Sequence, residues 1–173
     1  MATPATRIVF DPVVGFDPGL ALVDDRLIGL LAVWRAKASA APGGLPDRRD
    51  FGLEVLHRIG VLPYAMVVDV IGGGASFRFR LVGTRIVEMA SRDATGRTFE
   101  EAYPAPLAAK FAEVHRWVTV ERRPARYTGS LYFHGKDYYS FELLWLPLTD
   151  GGTDAAINLG AMVYGPQGEP ALR

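Results

Sequence analysis

With 173 residues, 49% of them hydrophobic and 22% charged, the chain has the length and composition of one globular domain with a well-filled core. Nineteen basic residues balance nineteen acidic ones with no basic run longer than two, and no apolar stretch approaches the roughly 18 residues that span a bilayer, so neither nucleic acid nor membrane is an expected partner. The absence of cysteine excludes disulfides, thiolate zinc sites and any cysteine nucleophile or flavin adduct, and an amino terminus without a charged-then-apolar leader predicts a cytoplasmic protein.

Residues before about Leu20 carry Pro4, Pro12 and Pro18 without helical period, which predicts an extended or loosely attached segment. Asp24 and Asp25 then open a helix in which Leu27, Leu30, Leu31 and Trp34 recur at helical spacing, with Arg35 and Lys37 near its end. Ala40 to Pro46 reads as a connector. Asp50 is placed to cap a second helix, with Phe51, Val55, Leu56 and Ile59 on one face and Gly60 ending it. Ala65 to Ile71 is an almost continuous apolar, β-branched run, the pattern of a central strand covered on both faces. Gly72, Gly73 and Gly74 turn the chain into a second strand, in which Phe77, Phe79 and Leu81 alternate with Arg78, Arg80 and Val82.

Gly83 breaks that strand, and Thr84 is placed to cap a short helix over Arg85 to Met89. A second break at Ser91, Arg92 and Asp93 leads to another acidic-started piece at Phe99, closed by Pro104, so two short helices form a lid. Leu107, Ala108, Phe111, Val114, His115 and Val118 fall on one side of a longer helix ended by Pro124. Three strands follow, Ala125 to Phe133, Asp137 to Pro147 and Ala155 to Tyr164, joined by turns at His134–Lys136 and Asp150–Gly152.

This order is that of an α+β fold: a five-stranded antiparallel sheet, Tyr64–Ile71 and Ala155–Tyr164 central, with helices on one face. The segments RFRLVGTRI and SRDATGRTFEE, with Trp34 and the run Leu45–Asp50 before them, resemble a PAS-like family found as single-domain proteins in alphaproteobacteria. The resemblance extends from Trp34 to Pro104 and implies the PAS topology and a sensory role, with no catalytic group to carry over. That family usually has a proline where Gly52 or Leu53 stands and a glycine where Ser91 stands. The expected organisation is an N-terminal helical extension over 1–62, a PAS-like core over 63–165 and a tail over 166–173.

Phe79, Phe111, His115, Tyr139 and Phe141, with Phe77 and Trp145 near them, would line a small apolar pocket between sheet and helices, into which Asn158 would project a polar group. In haem-binding PAS-like folds the corresponding helix carries the proximal histidine, but a lone His115 on an apolar face is more often a partnered core residue, and no haem is expected. His57 and His134 have no ligand spacing with it, which leaves no metal site. GxSxG, GxxxxGKS and GxGxxG are absent, and the adjacent pairs Asp24-Asp25 and Glu100-Glu101 point apart on a helix and cannot share a proton.

The leading expectation is a sensory or regulatory module that binds a small ligand or a protein partner, without catalysis and without an output domain on the chain. A cone-shaped α+β isomerase-like enzyme is the alternative, with Asp69 as its only candidate carboxylate, and a filled interaction domain is a third. The apolar stripe of Leu27, Leu30, Leu31 and Trp34 needs a cover, and a homodimer joined through that helix is expected to supply it.

Overall fold

The computed structural model describes residues 14–131 and 134–166. Strands β1 (Val14–Asp17), β2 (Ala65–Ile71), β3 (Ser76–Val82), β4 (Ala125–Leu131), β5 (Lys136–Leu148) and β6 (Ile157–Pro166) form one sheet, in the order β1-β4-β5-β6-β2-β3. All five pairings between these strands are antiparallel. The helices are α1 (Asp25–Ala40), α2 (Leu53–Ile59), α3 (Thr84–Ala90), α4 (Phe99–Ala102) and α5 (Ala105–Glu121), with 3-10 turns at Arg48–Phe51 and Leu62–Tyr64.

The strand count differs from the expected five because Val14–Asp17, within the proline-bearing segment expected to be extended or loosely attached, pairs with β4 as an edge strand. Phe16 holds it, its ring edge-on to Trp117 of α5 at 4.8 Å and tilted against Tyr127 at 5.2 Å. On the opposite face Arg126 bonds Asp17 and Glu142, tying β1, β4 and β5 together. The middle of the sheet is β5 and β6. Of the two strands expected there, Ala155–Tyr164 is central and Tyr64–Ile71 lies one place in from the edge strand β3.

The helices cover both faces of the sheet, not one. In β6 nine consecutive residues are buried, and in β5 Leu144, Trp145, Leu146, Pro147 and Leu148 are all buried, so both sets of alternating side chains are covered. Trp145 and Met162 face α3–α5. Leu144, Leu146 and Leu148 face the other way, where α1 packs on β5. Trp34 of α1 donates its indole N–H to the carbonyl of Pro147 at 3.0 Å, and Glu142 accepts from the amides of Val23 and Asp24 where α1 begins. Leu27 and Leu30 are 0% exposed, Leu31 4% and Trp34 7%. The stripe expected to make a dimer contact is therefore covered within this chain, against its own sheet. The helices expected as an extension share the core of the domain, while residues 1–13 and 167–173 lie outside the described residues.

Caps differ by a few residues from expectation. Asp24 caps α1 by accepting from the amide of Arg26. Asp50 is the third residue of a capping box whose cap is Asp47, so it closes the 3-10 turn and does not start α2, which Gly52 precedes. Gly83, not Thr84, is the cap residue of α3. A side chain there is excluded by space, since a Cβ would lie 2.4 Å from the carbonyl oxygen of Pro63. The strand-to-helix break of the RFRLVGTRI segment therefore rests on close backbone contact, as φ is an ordinary −64°.

Candidate functional site

Between the sheet and α3–α5 lies a cavity of about 80 Å³. Five strands floor it: Met66 from β2, Phe79 from β3, Tyr127 from β4, Phe141, Leu143 and Trp145 from β5, and Met162 from β6. The lid side is supplied by Ile86 of α3, Phe99 of α4, Tyr103, and Phe111, Val114 and His115 of α5, with His134 at the β4–β5 turn. Alternation puts every second residue of each strand on this face, so the aromatic supply in the sequence converges here. Phe99 packs on Phe77 and Phe79 at 5.5 and 5.0 Å between ring centroids, which fastens α4 to β3. At the rim the Arg92 guanidinium lies over the Tyr103 ring and donates to the carbonyl of Ala102. Lys136 donates to the carbonyl of Met89, tying the start of β5 to the end of α3.

His115 is the polar centre. Its ring sits edge-on to Trp145 at 4.2 Å and to Phe99 at 4.9 Å, and only 3% of the residue is exposed. Trp145 reaches this position because position 160 of the paired strand is glycine: a Cβ there would lie 2.3 Å from the indole. Burial holds the imidazole pKa down at about 3, so the ring is neutral at physiological pH. His134 is likewise neutral, held at about 4 by burial and then by the charges of Arg92 and Lys136. Burial also raises the phenol of Tyr103 and pushes that of Tyr127 far above its ordinary value.

Asn158 of β6, 0% exposed, stands behind the histidine. Its amide nitrogen is 3.1 Å from His115 Nδ1, 3.3 Å from the His115 carbonyl and 3.2 Å from Thr119 Oγ1. Thr119 in turn donates its hydroxyl to the His115 carbonyl at 2.8 Å. Asn158 therefore anchors the histidine and does not itself line the cavity. Phe79, Phe111, His115 and Phe141 line it as expected. Tyr139 does not: it lies further along β5, its ring 4.9 Å from Tyr138 and 6.2 Å from Tyr164. Met66, Ile86, Phe99, Tyr103 and Tyr127 were missed, although the alternation of each strand and the lid position of Phe99 carried the signal.

On one side of the antiparallel sheet, the short helices between β3 and α5 close over an aromatic cavity. The PAS domain family model matches residues 25–163. The chain belongs to the PAS domain family. No curated protein and no solved structure matches it significantly. The match begins at Asp25, so α1 and α2 lie within the PAS domain as matched. The two departures from the resembling family are resolved by this PAS domain's backbone. Leu53 occupies the first position of α2, where proline is well tolerated, and Ser91 adopts the left-handed conformation that glycine favours, with φ at 56°.

Asp69, the alternative's catalytic candidate, lies on the opposite face of the sheet, bound by Arg80 at 2.7 Å and Arg78 at 3.1 Å. Arg80 also pairs with Asp150, which pairs with Arg48, so the carboxylate belongs to a surface ion network between the Asp47–Phe51 turn and β3. Among the described residues no cluster of histidine and acidic side chains could hold a metal ion, and no helix is long and apolar enough to cross a membrane.

Proposed function

We propose that this PAS domain is a sensory or regulatory module in the cytoplasm, binding a small molecule in the aromatic cavity and passing its occupancy to a protein partner, without catalysis. One observation carries the reading: a partly open cavity is walled by β2–β6 on one side and by α3, α4 and α5 on the other. A ligand there touches both the rigid sheet and the lid. Ile86 and Phe99 would feel it directly; the Lys136–Met89 contact ties the lid to β5, and the Arg92–Ala102 contact ties the loop after α3 to α4 within the lid. Occupancy that moves α3 and α4 must break or strengthen those latches, which exposes or hides surface for a partner. Pairing with a second copy is compatible with this role, through a surface other than Leu27, Leu30, Leu31 and Trp34.

Native mass spectrometry of the full chain, compared with its denatured mass, tests the reading together with amide exchange over residues 84–103. The expected result is a retained small molecule, or a fragment-library hit, that slows exchange of the lid relative to α1. A bare mass, and exchange at 84–103 unmoved by every fragment, would overturn it.

A further inference from the structure

Asn158 fixes which nitrogen of His115 carries the proton. With the amide nitrogen facing Nδ1, the His115 carbonyl and Thr119 Oγ1, both amide hydrogens find acceptors, because the Thr119 hydrogen is already given to the carbonyl. Turning the amide over would leave two buried N–H donors without acceptors and would press its oxygen to 3.3 Å from a carbonyl oxygen. Orphaned N–H groups are rarer than under-satisfied oxygens, so the first arrangement holds, which leaves Asn158 Oδ1 rather than its N–H groups without a partner. Nδ1 is then an acceptor, and the single proton of the neutral ring sits on Nε2. No described residue hydrogen-bonds Nε2.

This N–H belongs to a residue that lines the cavity. Resting on the ligand-binding reading above, we propose that the ligand is a small, uncharged organic molecule with an oxygen acceptor, such as a carbonyl, that takes its directed hydrogen bond from His115 Nε2–H. The walls are otherwise mainly aromatic and aliphatic, which favours an apolar body. An ionised ligand is disfavoured because the two histidines offer only neutral donors, and an unpaired buried charge is costly. The cations near the rim, Arg92 and Lys136, are engaged by lid carbonyls. The volume favours a small body: 80 Å³ is about half the ~150 Å³ cavity that holds benzene, room for roughly three or four heavy atoms. A porphyrin fails on both counts, since it needs far more space and an Nε2 lone pair that the proton here occupies.

Acetone, 2-methylpropene and acetate share one Y shape and differ only in carrying a neutral acceptor, no acceptor or a charge, so they make the test. In long-range nitrogen–proton NMR of the labelled full chain, His115 is expected as the Nε2–H form at pH 7. Acetone should shift that resonance saturably and bind about tenfold more tightly than either analogue, the order of one buried hydrogen bond. The His115→Phe variant, checked by circular dichroism for an intact fold, should bind acetone no better than 2-methylpropene. An Nδ1–H ring, acetate binding best, or preference for acetone surviving in His115→Phe would overturn the proposal. If 2-methylpropene matches acetone in the native chain, the cavity binds ligands and only the donor assignment falls. If none of the three binds and no molecule is retained on purification, the ligand-binding reading falls with it.

Discussion

Ser91 ends α3 with φ at 56°, its amide donating to the carbonyl of Glu88, and no glycine relieves the strain of that conformation. Left-handed backbone costs an ordinary residue about 1–2 kcal/mol, and glycine returns some 0.5–1 kcal/mol of that as chain entropy in the unfolded state. Ser91→Gly is therefore expected to stabilise the domain by about 0.5–1 kcal/mol in urea denaturation; a destabilised variant would show that the serine side chain contributes something the backbone does not. His115 sets an acid limit. Unfolding returns its imidazole to a pKa near 6.5 from about 3, and it does the same for His134 from about 4. Between those values the unfolded chain binds more protons than the native one, so stability is full above pH 6.5 and falls as the pH drops towards 3. By pH 4 His115 alone is expected to cost on the order of 3 kcal/mol, with His134 adding to the loss, and His115→Phe should make the curve of stability against pH shallower. A variant with the native slope would remove His115 as the cause.

At the scale of elements, the least expected one is β1, four residues held to the sheet edge by one ring and one cation. Arg126 lies between Asp17 and Glu142, the three side chains exposed by 16%, 10% and 11%. Glu142 also accepts from the amides of Val23 and Asp24 just before α1, and Asp17 from those of Gly19 and Ala21. Removing the cation leaves two largely buried carboxylates facing each other without a counter-charge, so Arg126→Ala is expected to cost about 3 kcal/mol. Amide exchange of residues 14–17 should accelerate well beyond that of β6. Uniform acceleration over the whole sheet would mean that the ion network supports the sheet globally and not the edge strand. The lid elements are held by shorter reach: Phe99 by two rings of β3, and α3 by Gly83 seated against Pro63.

For the whole molecule, the sheet is a shared wall between two layers, α1 and α2 behind it and the cavity lid in front. Because Leu31 and Trp34 are buried against the back of the sheet, Leu31→Glu places a charge in an apolar interior with no partner. The expected outcome is loss of the folded state by circular dichroism, not conversion of a dimer to a folded monomer. A folded variant with an unchanged melting temperature would mean that this helix leaves the sheet in solution. On the proposed ligand-binding reading, the front face would report occupancy, while the back face is stitched by Trp34 to Pro147 and by Glu142 to the start of α1.

What the sequence by itself determined were the local periods: strand alternation at Phe77–Val82, the glycine turn at 72–74, the apolar stripe of α1 and the aromatic face of α5. These are settled within a few residues, by steric rules that act along the chain. The buried character of the first part of Ala65–Ile71 was legible too, although Ile71 at its end is exposed, but a pattern states only that a side chain leaves water, not what it meets. Hence the stripe of Leu27, Leu30, Leu31 and Trp34 reads equally as a contact with a second copy or with this chain's sheet, and only the tertiary structure, placing Pro147 under Trp34, chose the sheet. Tyr139 and Phe141 share a strand face, yet only the one nearer the sheet centre reaches the cavity. The state of His115 was likewise decided across 43 residues of chain, by Asn158, because a ring proton is placed by the acceptor or donor it faces and not by its neighbours in sequence.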